Sequence, residues 1–163
     1  MKTHIIRRAL LALGICSALN MQAQAPHPER IYLSGTGTDY TRTWEFYCSK
    51  GQNSGKWKSI EVPSCWELQG FGEYTYGRYY TVKGAKPSDE TGIYRYRFLT
   101  PDCGKTDRVK LFFDGVMTDA EVRVNGNPAG QIHQGAFYRF SYDITSLLKA
   151  EGENPVSYTH LRA

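Results

Sequence analysis

Between Arg108 and Thr145 the chain reads RVKLFFDGVMTDAEVRVNGNPAGQIHQGAFYRFSYDIT, three segments of period two arranged around an Asn-Gly pair. Val109, Leu111 and Phe113 alternate with Lys110 and Phe112; Val122 and Val124 alternate with Glu121 and Arg123. Tyr138, Phe140 and Tyr142 alternate with Arg139 and Ser141. Successive side chains of a strand point to opposite faces, so this period predicts half-buried strands. Asn125-Gly126 between apolar runs predicts a hairpin, because a two-residue type I′ turn needs positive φ at both central positions. Asp143-Ile144-Thr145, ahead of Ser146 to Lys149, predicts a capped helical turn that ends the unit.

The same reading extends upstream. Trp44, Phe46 and Cys48 alternate with Glu45 and Tyr47, and Tyr94, Tyr96 and Phe98 alternate with Arg95 and Arg97. Both predict strands. Ser59 to Val62 is a shorter one, stopped by Pro63, which has no N–H for a ladder. Ile31 to Leu33 is a candidate edge strand. The Gly- and Asn-containing stretch Lys50 to Lys56 is a turn, and Glu67 to Ser88, rich in Gly and Tyr, is a long irregular insertion of the kind that carries function. No amphipathic helix of normal length follows residue 25. Many short strands with frequent turn signals predict an all-β chain folded as a β-sandwich.

The ordered set Asp114-Gly115-Val116, Ala120 to Gly126, the aromatic-Phe segment, Asp143-Ile144-Thr145 and Gly152-Glu153-Asn154 resembles the N-terminal sugar-binding domain of family 2 glycoside hydrolases, the β-galactosidase and β-glucuronidase relatives. A second block is similar to the same family: Trp57, Ile60, Val62-Pro63-Ser64-Cys65-Trp66-Glu67 and Gly70, then Gly92-Ile93-Tyr94-Arg95. The resemblance implies a jelly-roll, galactose-binding-like sandwich and a β-glycoside as carbohydrate ligand. It also implies that the catalytic barrel, with both catalytic glutamates, belongs to further domains of the same polypeptide. Residues 26–156 are assigned to the domain. After Asn154 the family pattern continues into a closing strand; Pro155-Val156 fits its start, whereas 157–163 is an atypical tail, with an artefact one reading of it.

Residues 1–25 read as a cleaved signal peptide: basic Lys2, Arg7 and Arg8, an apolar run from Ala9 to Leu19, and Ala23-Gln24-Ala25 at the cleavage site. The apolar run is short of the ~20 residues a spanning helix needs, so the expectation is export to the periplasm or cell exterior, with no membrane association after cleavage. Without the three basic residues of that segment, 17 basic residues face 16 acidic ones. That near balance leaves no electrostatic footprint for nucleic acid. Cys48, Cys65 and Cys103 remain after cleavage, an odd number; Cys48 and Cys65 read as small apolar fillers in strands, and one disulfide among the three stays open.

Glycoside hydrolysis by retention needs two carboxyl groups about 5–5.5 Å apart. Asp89, Glu90, Glu151 and Glu153 lie in polar turns and read as solvated acids, so the chain holds no catalytic pair. Asp114, His133 and Ser141 lack the strained nucleophile turn of a triad. No His or Cys pair has zinc spacing, Ser34-Gly35-Thr36-Gly37 lacks the third glycine of a dinucleotide loop, and no cofactor or metal is expected. Binding remains. Sugars stack their C–H faces on aromatic rings, and the chain has 12 Tyr and 3 Trp. Those at strand alternation, with Trp66, are read as core. The resemblance places Tyr76, Arg78 and Tyr79 in a loop that lines the terminal-sugar subsite, with Arg78 where relatives carry Asn. Two other readings stand beside this one: a free-standing carbohydrate-binding module, and a structural domain without ligand.

Overall fold

The structure, a computed structural model, describes residues 29–73, 83–84, 89–104 and 107–160. Those from Tyr32 onward belong to one compact unit. Nine strands are present among them: β1 (Arg42–Cys48), β2 (Trp57–Val62), β3 (Gly92–Leu99), β4 (Lys110–Phe113), β5 (Asp119–Val124), β6 (Asn127–Pro128), β7 (His133–Gln134), β8 (Phe140–Asp143) and β9 (Glu153–His160). Seven form one antiparallel sheet in the order β2-β1-β3-β9-β5-β6, with β7 also on β5; β4 and β8 pair as a second sheet. Two antiparallel sheets with almost no helix make the all-β sandwich that the alternation predicts.

Register decides which side chains face inward. Trp44 is paired with Ile60, Phe46 with Tyr94, Tyr94 with Tyr158, and Val122 with Tyr158. The even-numbered positions of β1, β2, β3, β5 and β9 therefore share one face, and they supply most of the buried core. Phe46 is fully buried at its centre, with ring centroids 4.5 Å from Tyr94, 4.9 Å from Phe71 and 5.3 Å from Trp66. Each such side chain contributes about 1.5–3 kcal/mol by leaving water. Phe113 of β4 stacks on Phe140 of β8 at 4.8 Å and meets Tyr158 edge-on at 5.6 Å, so these rings join the two sheets.

The hairpin forms as predicted, with Asn125 at φ 52° and Gly126 at φ 81° between β5 and β6. The Asn125 side chain also acts at long range. Its Nδ2 donates to Leu147 O at 2.8 Å and to Oδ1 of fully buried Asn154 at 2.7 Å. Asn154 Oδ1 accepts a second bond from Lys149 N at 2.9 Å, and its Nδ2 donates to Thr100 Oγ1 at 2.9 Å. A buried amide satisfied on both sides is the condition under which polar burial is tolerated.

Several expectations change in detail. The helical turn is a single 3-10 turn, Thr145–Leu147, whose N-cap residue Ile144 offers no side-chain cap; Asp143 bonds the first residue of the turn instead. Asp143 Oδ1 accepts from Thr145 Oγ1 at 2.6 Å and Thr145 N at 3.0 Å; the hydroxyl bond chiefly, then the amide, holds the carboxyl below the usual range. Ile31 to Leu33 forms no strand, since Ile31 and Tyr32 are half exposed and have no face to bury; Leu33 O instead accepts from Trp44 Nε1 at 3.0 Å. Strand β8 begins only at Phe140, leaving Tyr138 exposed. Cys65 lies outside any strand and is exposed, whereas Cys48 is buried as expected; Cys48, Cys65 and Cys103 are all free thiols. Ser157 to His160, set apart above as an atypical tail, continue β9 between β3 and β5.

Gly92 shows how tight the interior is. A Cβ there would lie 1.7 Å from Cζ3 of the Trp66 indole, itself buried. The cause is a close approach of side chain to backbone rather than an unusual φ. Gly92→Ala is expected to destabilise the fold by about 1–3 kcal/mol through overpacking. A urea melt with an unchanged midpoint would show that Trp66 can move aside without cost.

Candidate functional site

The Cys48–Gly92, Gly92–His160, Ala120–His160 and Ala120–His133 pairs form one row across an end of the large sheet. The connections leaving that row share this end: the β1–β2 turn, the long insertion between Trp66 and Gly92, the β4–β5 loop and the segment between β7 and β8. Tyr76, Arg78 and Tyr79, the sugar-subsite residues expected from sequence, lie outside the described residues. Their neighbours on both sides are described, and these show how the loop is held.

Both stems of the insertion are tied to the β1–β2 turn. Gln52 and Gly72 exchange two backbone bonds of 3.0 Å, and Asn53 Nδ2 donates to Gly70 O at 2.7 Å. On the returning side Lys50 pairs with Asp89, Ser49 N donates to Thr91 O at 2.9 Å, and Thr91 N donates to Ser49 Oγ at 2.8 Å. The stems also meet each other, because Glu73 N donates to Glu90 Oε1 at 3.1 Å. Glu90 is 5 % exposed, which corrects the reading of Asp89-Glu90 as a solvated pair. Asp89 is on the surface; Glu90 is a buried acceptor closing the loop's base. Sequence spacing gave no sign of this, since its partner is a backbone N–H seventeen residues away.

Beneath the stems, Trp66 packs against Phe46 at 5.3 Å, and its ring lies parallel to that of Tyr94 at 6.5 Å. The Val62 to Trp66 corner thus anchors the insertion in the core. Cys48 sits there too, its Sγ donating to Lys50 O at 3.1 Å, and burial pushes its thiol pKa up. Burial likewise raises the Tyr94 phenol. These groups are held in their neutral forms, which suits support of a loop and not proton transfer.

The triad-like trio does not assemble. Asp114 pairs with Arg139 at 2.7 Å, His133 stacks on Phe140 at 3.7 Å with Nε2 at 3.1 Å from Gly135 O, and Ser141 is on the exposed side of β8. Among the described residues no group of three His, Cys, Asp or Glu could hold a metal, and no helix is long and apolar enough to cross a membrane. Trp44 and Tyr94 are core residues as expected. At the far end of the same sheet a hollow of about 320 Å³ opens on the solvent face beside Glu45, Arg95 and Arg97.

Residues 44–160 match the family described as glycosyl hydrolase 2 galactose-binding domain-like, and the chain belongs to that family. It is 30% identical over 127 residues to the beta-galactosidase BoGH2A of Bacteroides ovatus, covering 72% of this chain and 14% of the relative. It is 31% identical over 103 residues to a beta-galactosidase of Vibrio cholerae, covering 60% of this chain and 10% of the relative. Among solved structures it resembles a putative beta-galactosidase from Bacteroides fragilis (29% identity, TM-score 0.52, 71% of this chain and 17% of that one). An FMN-binding beta-glucuronidase from Faecalibacterium prausnitzii is similar as well (26% identity, TM-score 0.55, 74% and 17%). The chain therefore spans about a tenth to a sixth of the length of these relatives.

The contrast among the thiols is testable. Native alkylation with iodoacetamide near pH 8 is expected to modify exposed Cys65 and Cys103 and to spare Cys48, which becomes reactive only after denaturation. Peptide mapping that finds Cys48 labelled at the rate of the other two would contradict the packing of this end.

Proposed function

We propose that the chain is the N-terminal sugar-binding and positioning domain of an exported β-glycosidase, and that its insertion between Trp66 and Gly92 lines part of the sugar pocket. The observation that carries the reading is the family match across residues 44–160, in a chain spanning only a small part of relatives named as glycosidases. The stems support it, since hydrogen bonds at both ends and a buried indole below give a 20-residue-scale loop a rigid base. Bond cleavage then belongs to the downstream part of the polypeptide. The partner domains are those that follow in the same polypeptide, and the basic, apolar and small-residue order of residues 1–25 supports a periplasmic or extracellular location.

Two measurements test this. The purified 163-residue chain is expected to release no chromophore from nitrophenyl β-galactoside or β-glucuronide, because no described carboxyl pair flanks a shared site; turnover above background would sink the assignment of catalysis elsewhere. In the longer polypeptide, Arg78→Ala is expected to raise KM severalfold for the true glycoside with a smaller change in kcat, the pattern of lost ground-state binding. Unchanged kinetics would remove Arg78 from the pocket.

A further inference from the structure

Strands β1 and β3 pair only between the Glu45–Arg95 row and the Cys48–Gly92 row. Their outer neighbours stay with them for longer: β2 follows β1 to Arg42, and β9 follows β3 to Leu99. Beyond Glu45–Arg95 the sheet opens, as each strand keeps to its own partner while the sheet twists. The opening is the 320 Å³ hollow, lined by Thr43, Glu45, Ser59, Arg95 and Arg97. On the core side Trp44 and Tyr96 stack at 5.0 Å and 22°, and Arg42 Nη1 donates to Tyr96 Oη at 3.4 Å, so the gap has a floor.

Its rim is only partly satisfied. The Arg95 guanidinium lies 3.8 Å over the Trp57 ring with Nε 3.7 Å from Glu45 Oε2, which sets its orientation. Thr43 already donates to Glu61 Oε1 at 2.7 Å. Arg97 and the Ser59 hydroxyl have no side-chain hydrogen bond or ion pair with any described residue, although both border the hollow. The Glu45 and Glu61 carboxylates balance the two guanidinium groups, but Glu45 is paired with Arg95 and Glu61 is held by Thr43, which leaves Arg97 without a partner among the described residues. The planar guanidinium fork suits a carboxylate bound by two parallel bonds. The volume is at the small end of ligand sites.

We propose that this hollow binds a hexuronic acid unit, its carboxylate on Arg97 and Arg95 and a ring hydroxyl on Ser59. It would be a second saccharide site at the end of the sheet opposite the insertion. The choice of a sugar as carrier of the carboxylate rests on the glycosidase reading; the anion site itself does not. The test is an amide-resolved NMR titration of the 163-residue chain with D-glucuronate, D-glucose and acetate. Glucuronate is expected to shift the amides of Thr43 to Glu45 and Arg95 to Arg97 saturably, with a dissociation constant on the order of millimolar. Arg97→Ala is expected to weaken it by about tenfold, and Arg97→Lys by less, the charge being kept and the fork lost. Arg123→Ala, on β5 and away from the hollow, is expected to leave it unchanged. Glucose binding as tightly as glucuronate, or equal binding by Arg97→Ala, would overturn the anion site, and acetate binding as tightly as glucuronate would overturn the hexuronate assignment. Loss of glycosidase activity by the longer polypeptide bears on the preceding proposal alone, so the two can fail separately.

Discussion

The position of the Trp66 indole is the constraint on which the insertion-bearing end of the domain depends. Trp66 follows the corner that stops β2, and its ring occupies the space over Gly92 where any other residue would put a side chain. One contact therefore joins the exit of β2, the start of β3 and the aromatic centre at Phe46 and Tyr94. The insertion leaves from Trp66 and returns to Gly92, so the same contact fixes its two ends. The hydrogen bonds between Gln52 and Gly72, and between Glu73 and Glu90, then hold a frame whose position is already set.

The opposite end is held by polar chemistry. Asn125 in the hairpin turn and Asn154 at the start of β9 share a hydrogen bond, and the loop from Leu147 to Lys149 binds both. Nearby, Ile144 is buried while Asp143 and Thr145 on either side turn their polar groups to the backbone, with Val109 N donating to Thr145 Oγ1 at 2.9 Å. The Asp-Ile-Thr and Asn-Gly segments are thus structural signatures. Each places an apolar side chain or a turn where the backbone would otherwise lack hydrogen-bond partners.

The strands were legible because the faces of a sheet impose a period of two on burial. Trp44, Phe46 and Cys48, then Val122 and Val124, are buried in register, as their alternation predicts. The hairpin was legible because few dipeptides tolerate positive φ twice. Short elements were read less well: Ile31 to Leu33 has β-prone residues but no surface to cover, and Tyr138 alternates correctly yet stays exposed. Glu90 was misread as solvated because its burial comes from a stem distant in sequence. The hollow beside Arg97 was not legible at all, since it exists only where two strands stop pairing.

Composition and periodicity alone therefore determined the fold class, the hairpin and the identity of the inward face, because these follow from local backbone geometry and the segregation of apolar side chains. Motif order pointed to the family for the same reason: turns and caps recur wherever the chain must reverse or end a strand. The tertiary structure decided which polar groups are buried, where the insertion is clamped and where the sheet opens. Those properties come from strands distant in sequence meeting in a particular order and register, which no single segment encodes.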